Sequence, residues 1–425
     1  MKIKIEVILW YNTKYVGGKC MVINVRSEIN TLKKVLLHRP GKELLNLTPD
    51  TLERLLFDDV PFLKVAQAEH DRFAEILREN GVEVVYLEDL VAETLESSHE
   101  LKVQFLKQFI EEGGVQLEVY KEALLNFFLS YTDTKEMVLK TMEGVNMSEL
   151  EVPRKDLVSY LDDPTELILD PMPNLYFTRD PFASTQNGVI LNRMYSVTRN
   201  RETIYAYYIF HYHPEYKGKV TFFYDRTNPF HIEGGDVLNI NDKVLAIGIS
   251  QRTEAAAIDL VAKTLLFDEA NSHIDTILAF RIAESRAWMH LDTVFTQIDY
   301  DKFSVHPAIL GPLEVFELRR DGNEVKVTPK EGKLEDILGE YMGTKVTLIP
   351  CGGGDRIAAE REQWNDGSNT LCIAPGKVIV YERNDVTNDL LRKHGINVIE
   401  MPSAELSRGR GGPRCMSMPL VREEN

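Results

Sequence analysis

Several things are scarce in this chain, and each scarcity removes a class of function. There are only four cysteines, Cys20, Cys351, Cys372 and Cys415, and no two form a CxxC pair. Neither a zinc knuckle nor a disulfide framework is therefore expected, and a reducing cytoplasm fits best. No stretch approaches ~18 uninterrupted apolar residues, so a transmembrane helix is not predicted. The opening MKIKIEVILW carries charges beside the short run Val7 to Trp10, which is no secretory core. Residues 1–21 are expected to be a disordered extension ahead of the fold. Cations are also in deficit: 49 Lys and Arg face 66 Asp and Glu, a formal net charge of −17. That balance argues against nucleic acid and anionic membranes as partners and suits a small cationic substrate.

What remains is an ordinary globular composition, 44% hydrophobic and 27% charged over 425 residues. That length is enough for two or three modules or for one large fold with an insertion, at about 150 residues per domain. Helical and strand periodicities alternate, which indicates an α/β protein. The exception is 93–165, almost wholly helical in pattern and broken at Gly113, Gly114 and Gly144; it is read as an inserted helical subdomain. Outside it a weak repeat of roughly 50 residues is visible. NGVILNR, NDKVLAIGISQR and PGKVIVYER each lead into a helical stretch and then a strand such as KVTFFYD, HIDTILAF or INVIEM. A β-β-α-β unit is expected to recur about five times around a pseudo-symmetric ring, with the first and fourth copies degenerate. Residues 22–420 would form this catalytic unit and 421–425 a short tail. Strand ends in such a ring converge on one mouth, where chemistry is expected.

Polar residues able to do chemistry do cluster at those ends, in PNLYFTRDP, HIEGGD, MHLDT and GGPRCMSMP. Taken singly each has a bland explanation. A lone Cys415 is more often a small buried hydrophobe than a nucleophile, although the surrounding Gly409, Gly411 and Gly412 allow close backbone approach. His290 and Asp292, two apart, would share one face of a strand, yet such a pair is commonly a surface contact. Glu233 before two glycines and Asp180 before a proline both read as turn carboxylates. Cys351 and Cys372 sit in strand-like runs and read as core. The co-occurrence of three carboxylates, an imidazole and a thiol at equivalent strand ends carries more weight than any one of them.

Those segments, with CGGGD, REQWNDGSNT, RGGPRCMSMPL, SEINTLKKVLLHRPGKEL and LLFDDVPFL, resemble arginine deiminase, of the guanidine-modifying superfamily, from about residue 22 to 420. Residues 1–21 have no counterpart. The resemblance implies a five-bladed α/β propeller of ββαβ units with a helical insertion after the first blade. It also implies hydrolysis of L-arginine to L-citrulline and ammonia. Asp180 and Asp292 would grip the planar guanidinium, and Cys415 would attack its carbon to give a thiouronium intermediate. His290, steadied by Glu233, would move the protons. Asn174, Arg199 and Arg252 match positions that bind the α-carboxylate, Phe177 is counted with the substrate-binding residues, and Arg410 reads as a lid. Arg179 reads as a structural partner.

No metal or cofactor is expected in this chemistry. The carboxylates should raise the thiol pKa until the cationic substrate lowers it. A homo-oligomer, dimer or larger, in the cytoplasm is expected. Competing readings are a dimethylarginine hydrolase, an agmatine deiminase, an amidinotransferase, and a non-catalytic ribosome-binding factor or arginine sensor. The last class would lack the thiol or the imidazole, and both are present.

Overall fold

The computed structural model describes residues 21–424 apart from 153–156, 162, 164, 283–287 and 312. The expected extension 1–21, with Cys20, therefore lies outside the described residues except for Met21.

The architecture is a mixed α/β fold whose strands form several small sheets and no closed barrel. Five sheets are built on the same plan of an antiparallel pair, then a helix, then a parallel third strand. In one, Phe182–Thr185 pairs antiparallel with Gly188–Leu191, which after helix Thr203–Tyr212 pairs parallel with Thr221–Tyr224. The same order recurs through Val237–Asn241, Val244–Ile249 and Thr276–Arg281, and through Phe295–Asp299, Lys302–Val305 and Thr347–Pro350. It recurs again in Leu371–Ala374, Lys377–Tyr381 and Asn397–Met401. The remaining sheet joins the two ends of the chain. Its first strand is Met418–Arg422, antiparallel to Leu32–Leu37 with Leu36 opposite Met418 and Leu32 opposite Arg422, and Glu83–Tyr86 completes it in parallel.

This explains the two degenerate copies in the sequence. One unit is split between the termini, so no local repeat exists to be read. The other carries a hairpin, Glu314–Asp321 with Glu324–Lys330, that leaves its own unit and pairs onto Thr276–Arg281. Residues 421–425 are correspondingly not all tail. Val421 and Arg422 lie in the last strand, and buried Arg422 donates through Nη1 to the Asn30 carbonyl at 2.6 Å and through Nη2 to that of Cys372 at 2.9 Å.

The helical layer starts at Leu87, six residues before the expected 93, because strand Glu83–Tyr86 runs into helix Leu87–Glu96 without a breaker. Helices His99–Glu112, Glu118–Leu129 and Thr134–Glu143 follow. Ser98 and Asp133 cap two of them by accepting from the amides of Leu101 and Glu136, the usual relief for unpaired first-turn donors. The layer packs on helix Thr203–Tyr212, TIYAYYIFHY, which is apolar on every face and accordingly buried, as such helices must be. The ring of Phe105 stands 5.1 Å from Tyr208 and 5.9 Å from Tyr205, edge-on and tilted respectively.

The first strands of the five sheets lie at sheet edges and are tied to one another through side chains. Asn239 Nδ2 donates to the Ser184 carbonyl at 3.1 Å and Thr185 Oγ1 to Asn239 Oδ1 at 2.7 Å. Thr296 and Thr370 hydroxyls stand 3.0 Å apart, and Ser184 Oγ donates to the Pro419 carbonyl. Polar side chains thus satisfy edges that would otherwise be open to other strands.

Candidate active site

Each of the five edge strands is entered through a short segment that carries polar side chains. Asp180 precedes Phe182–Thr185, Glu233 and Asp236 precede Val237–Asn241, and His290 with Asp292 precedes Phe295–Asp299. Asn369 precedes Leu371–Ala374, and Cys415 precedes Met418–Arg422. All of these residues are buried. Asp180, His290 and Cys415 open onto a cavity of about 430 Å³ that is also lined by Asn174, Phe177, Arg199, Arg252 and Arg410, among others; Glu233, Asp236, Asp292 and Asn369 stand behind this lining.

The approach of the chain there demands glycine. A β-carbon on Gly235 would come within 2.6 Å of the His290 ring, which accounts for the second glycine of HIEGGD. One on Gly411 would run into the ring of Phe177.

His290 Nε2 donates to Glu233 Oε2 at 2.8 Å, and its Nδ1 faces Asp180 Oδ1 at 3.9 Å. His290 and Asp292 do not share a strand face as their spacing suggested. His290 is extended, while Asp292 lies in the tight turn Leu291–Thr293, so the two side chains address different parts of the site. Burial alone would push the imidazole pKa down, but Asp180 and the Glu233 hydrogen bond outweigh it and raise it to about 9. Glu233 is held well below the usual carboxylate range, because Arg252 and His290 overcome the cost of its burial. The imidazole is therefore a cation at neutral pH.

Cys415 Sγ lies 3.7 Å from Asp292 Oδ2. Burial raises its pKa well above the ordinary thiol value, and Asp292, Asp180 and Asp366 add to the rise. Its amide donates to Asn369 Oδ1 at 3.1 Å, and Asn369 Nδ2 donates to the Asp292 carbonyl at 3.2 Å. One asparagine thus fixes thiol and carboxylate relative to each other. Arg414, next in the chain, donates from Nη1 to Asp292 Oδ2 at 2.7 Å and from Nε to Glu28 Oε2 at 3.1 Å.

The cations near the cavity are not equivalent. Arg199 donates from Nη1 to Asp180 Oδ2 at 2.9 Å and from Nε and Nη2 to Glu202, so three of its five N–H groups are engaged and it braces Asp180. Arg252 sits 3.6 Å from Glu233 and 5.5 Å over the Tyr195 ring, and its buried Nε and Nη1 make no hydrogen bond among the described residues. Arg410 lies with its guanidinium carbon 3.6 Å over the Trp364 ring and Nη1 3.4 Å from Asp58, with a left-handed backbone at φ 63°. Asn174 donates to the Leu55 carbonyl at 2.7 Å, which ties the loop carrying Leu56 and Asp58 to the cavity. Arg179 donates to the Arg414 carbonyl at 3.2 Å, away from the cavity.

Sequence reasoning missed several residues of this arrangement. Asn369 was quoted within REQWNDGSNT but given no role, although it occupies the strand-entry position shared by the other four segments. Asp236 accepts from Ser250 and Thr253 hydroxyls, each at 2.7 Å, and from the Leu291 amide at 2.8 Å, and so holds the turn that follows His290. Glu28 and Tyr195 carried no local signal, because their partners Arg414 and Glu233 are distant in sequence; Glu202 pairs with Arg199 only three residues away, in a spacing common to any surface helix pair.

Among the described residues, Asp180, Glu233 and His290 offer ligand atoms within 4.8 Å of one another. Two ligands of one tetrahedral ion stand roughly 3.3 Å apart at bond lengths near 2 Å. The 2.8 Å between Glu233 and His290 is that of a charge-assisted hydrogen bond.

Two buried carboxylate oxygens, Asp180 Oδ1 and Asp292 Oδ1, accept no hydrogen bond among the described residues. The site thus has free acceptors beside the thiol and free donors on Arg252. A ligand that satisfies both carries a planar multi-donor cation at one end and an anion at the other.

The comparisons point the same way. A family model described as arginine deiminase matches residues 53–422. An arginine deiminase of Treponema denticola is 61% identical over 407 residues, covering 95% of this chain and 99% of that protein. One of Clostridium perfringens is 56% identical, covering 95% and 98%. Among solved structures, an amidinotransferase from Microseira wollei in the saxitoxin biosynthetic pathway superposes with a TM-score of 0.51 at 15% identity, over 95% of this chain and 98% of that one. The product-bound N-terminal domain of a cyanobacterial arginine dihydrolase gives 0.51 at 13% identity, over 92% and 97%. These structures share the mixed α/β fold. No helix among the described residues is long and apolar enough to cross a membrane.

Proposed function

Because this chain belongs to the arginine deiminase family, we propose that it hydrolyses L-arginine to L-citrulline and ammonia at the Cys415 cavity. The observation that carries the reading is the polarity match between Asp180 and Arg252, which line one cavity and carry an acceptor and donors without hydrogen bonds among the described residues, with a second such acceptor on Asp292 behind the Cys415 thiol.

Arginine's guanidinium is delocalised and a poor electrophile, so it needs a held geometry and a strong nucleophile. Asp180 and Asp292 take its N–H groups and fix its plane. The incoming positive charge opposes the carboxylates that hold the thiol proton, so the substrate itself promotes thiolate formation. Cys415 Sγ then bonds to the guanidinium carbon. The imidazolium of His290 protonates a terminal nitrogen, the C–N bond breaks and ammonia departs, leaving an S-alkylthiouronium. His290, now neutral, takes a proton from water as the oxygen attacks the same carbon. The C–S bond breaks and citrulline is released; the departing thiolate takes the hydroxyl proton of the adduct, replacing the one that passed to solvent when the thiolate formed, and the thiol is restored. Glu233 keeps the imidazole oriented and cationic for the first of these steps.

At the other end Arg252 binds the α-carboxylate. Asn174 lines its approach, and Arg199 has N–H groups to spare while bracing Asp180. Phe177 walls the aliphatic stem and Arg410 covers the mouth.

The same reading takes the five sheets as blades of a pseudo-symmetric propeller, supported by the ties between successive edge strands and by the bond from the Leu291 amide to Asp236. Residues 22–420 form the catalytic unit, 93–165 its helical insertion, 1–21 an extension and 421–425 a tail whose first two residues pair. A cytoplasmic location is supported by the unpaired Cys351, Cys372 and Cys415. A homo-oligomer, dimer or larger, is supported by exposed Leu157, Tyr160 and Leu161 on the helical layer.

The test is citrulline and ammonia release from L-arginine, agmatine and dimethylarginine by wild type and Cys415→Ala. Turnover of arginine alone, lost in the variant, is expected. Absence of turnover of every guanidine by folded wild type would sink the reading.

A further inference from the structure

A second cavity, of about 310 Å³, lies on the far side of the segment that follows strand Gly188–Leu191. It is lined by Arg193, Tyr195, Asn200, Arg201, His231 and Glu112, among others. Its charge is unusual for a chain of net charge −17. Glu112 is engaged by both Nη atoms of Arg226, at 2.8 and 2.5 Å, which neutralises the one acidic side chain named there. Neither Arg193 nor Arg201 forms an ion pair with any carboxylate among the described residues. Arg201 is only 4% exposed. Its Nη2 donates to the Asp170 carbonyl at 2.8 Å, while the buried Nη1 has no hydrogen-bond partner among the described residues. Two guanidinium groups therefore line one cavity with no carboxylate in contact with either, Asp170, Glu112 and Glu202 acting on Arg201 only through space, and an anion between them would offset the cost of burying Arg201.

Tyr195 is shared by this cavity and the catalytic one. Its amide donates to Glu233 Oε1 at 3.0 Å, and its ring lies beneath Arg252 at 5.5 Å and edge-on to His231 at 5.1 Å. His231 in turn reaches the Arg252 carbonyl at 2.9 Å through Nδ1. Whatever draws Arg193 and His231 inward acts on the same short segment that supports Glu233 and Arg252.

We propose that this second cavity binds a small dianionic oxyanion of the phosphate type between Arg193 and Arg201, and that the bound anion alters arginine affinity through Tyr195. Two guanidinium groups offer the paired N–H donors that such oxyanions take, and the two charges balance. The binding half stands on this cavity alone. The coupling half rests on the proposed function of the Cys415 site, and it is reciprocal: an anion that changes arginine affinity must have its own affinity changed by arginine to the same degree.

The test titrates inorganic phosphate calorimetrically at constant ionic strength into the full chain, with chloride as the reference. Arg193 is half-buried, so Arg193→Ala is the variant of choice, with Arg193→Lys as the conservative partner. One phosphate per chain is expected, bound at least about tenfold more weakly by Arg193→Ala, in keeping with loss of a charge-assisted contact, and partly restored by Arg193→Lys. The same titration on Cys415→Ala saturated with L-arginine should still show phosphate binding, with altered affinity. Equal affinity in wild type and Arg193→Ala overturns the site, and so does full displacement of phosphate by arginine, which would place the anion in the catalytic cavity. Methyl phosphate run beside phosphate distinguishes a phosphorylated metabolite from the free ion. In turnover assays phosphate should shift KM for arginine in wild type but not in Arg193→Ala, with kcat unchanged. Binding without any KM shift overturns the coupling and leaves the site. If wild type turns over no guanidine, the failure is of the proposed reaction, and the calorimetry still decides the anion site.

Discussion

Glu233 Oε2 stands 2.8 Å from His290 Nε2 with both side chains buried, so each helps to hold the other in its charged form, Arg252 acting with His290 on Glu233 and Asp180 acting with Glu233 on His290. With His290 raised to about 9, its proton is present through neutrality and is lost as pH rises through that value. The alkaline limb of kcat/KM, which reports the free enzyme, should therefore lie near pH 9. In Glu233→Gln it should move toward the ordinary histidine range near ~6.5. An unmoved limb in a folded variant would exclude His290 as the group titrating. The stability sign is the same for the imidazole. A raised folded pKa contributes fully below ~6.5 and is lost as pH climbs through about 9.

Asp292 is the nearest charge raising the Cys415 pKa after burial itself. Asp292→Asn should lower the thiol pKa, and iodoacetamide alkylation of Cys415 should become faster at a given neutral pH. Cys351 and Cys372 are pushed up to about 12 by burial and serve as unreactive controls. Slower or unchanged alkylation in the variant would remove Asp292 from the control of the thiol.

Arg252 brings to the cavity two buried donors, Nε and Nη1, that make no hydrogen bond among the described residues. Arg252→Ala should raise KM for arginine by about 10- to 100-fold, the scale of one lost charged contact. Agmatine, which lacks the carboxylate, should be affected far less. Equal losses on both substrates would mean that Arg252 acts through Glu233, 3.6 Å away, and not on the carboxylate.

Phe105 tests the helical layer. Its fully buried ring packs against Phe109, Tyr205 and Tyr208. Phe105→Ala should cost about 3–5 kcal/mol of unfolding free energy, the range for large-to-small core changes, measured by urea denaturation. The layer is remote from the Cys415 cavity lining, so kcat of the folded fraction should be retained.

Much of this site was legible in the sequence because its residues sit at a repeated topological position, the entry to an edge strand. Asp180, Glu233, His290, Asp292 and Cys415 could each be found by looking just ahead of a strand-like run. Asn369 obeys the same rule, standing two residues ahead of Leu371–Ala374. Glu28 and Tyr195 obey no such rule. Each works through a partner brought near by folding, as Glu28 does with Arg414, 386 positions along the chain.

The amino-acid sequence by itself determined the α/β class, the run of helices between strands Glu83–Tyr86 and Phe182–Thr185 and the residue types at the strand entries, because periodicity, turn chemistry and motif order are local properties. Tertiary structure alone decided that the first unit is closed by the C-terminal strand, and that the hairpin Glu314–Lys330 joins a neighbouring sheet. It also decided that Arg199 is hydrogen-bonded to Asp180 and Glu202 while Arg252, 3.6 Å from Glu233, keeps Nε and Nη1 without a hydrogen bond among the described residues. Two arginines of the same type after equivalent strands differ only in which carboxylates folding places beside them, and electrostatics in a buried site is set by those distances and not by the order of residues.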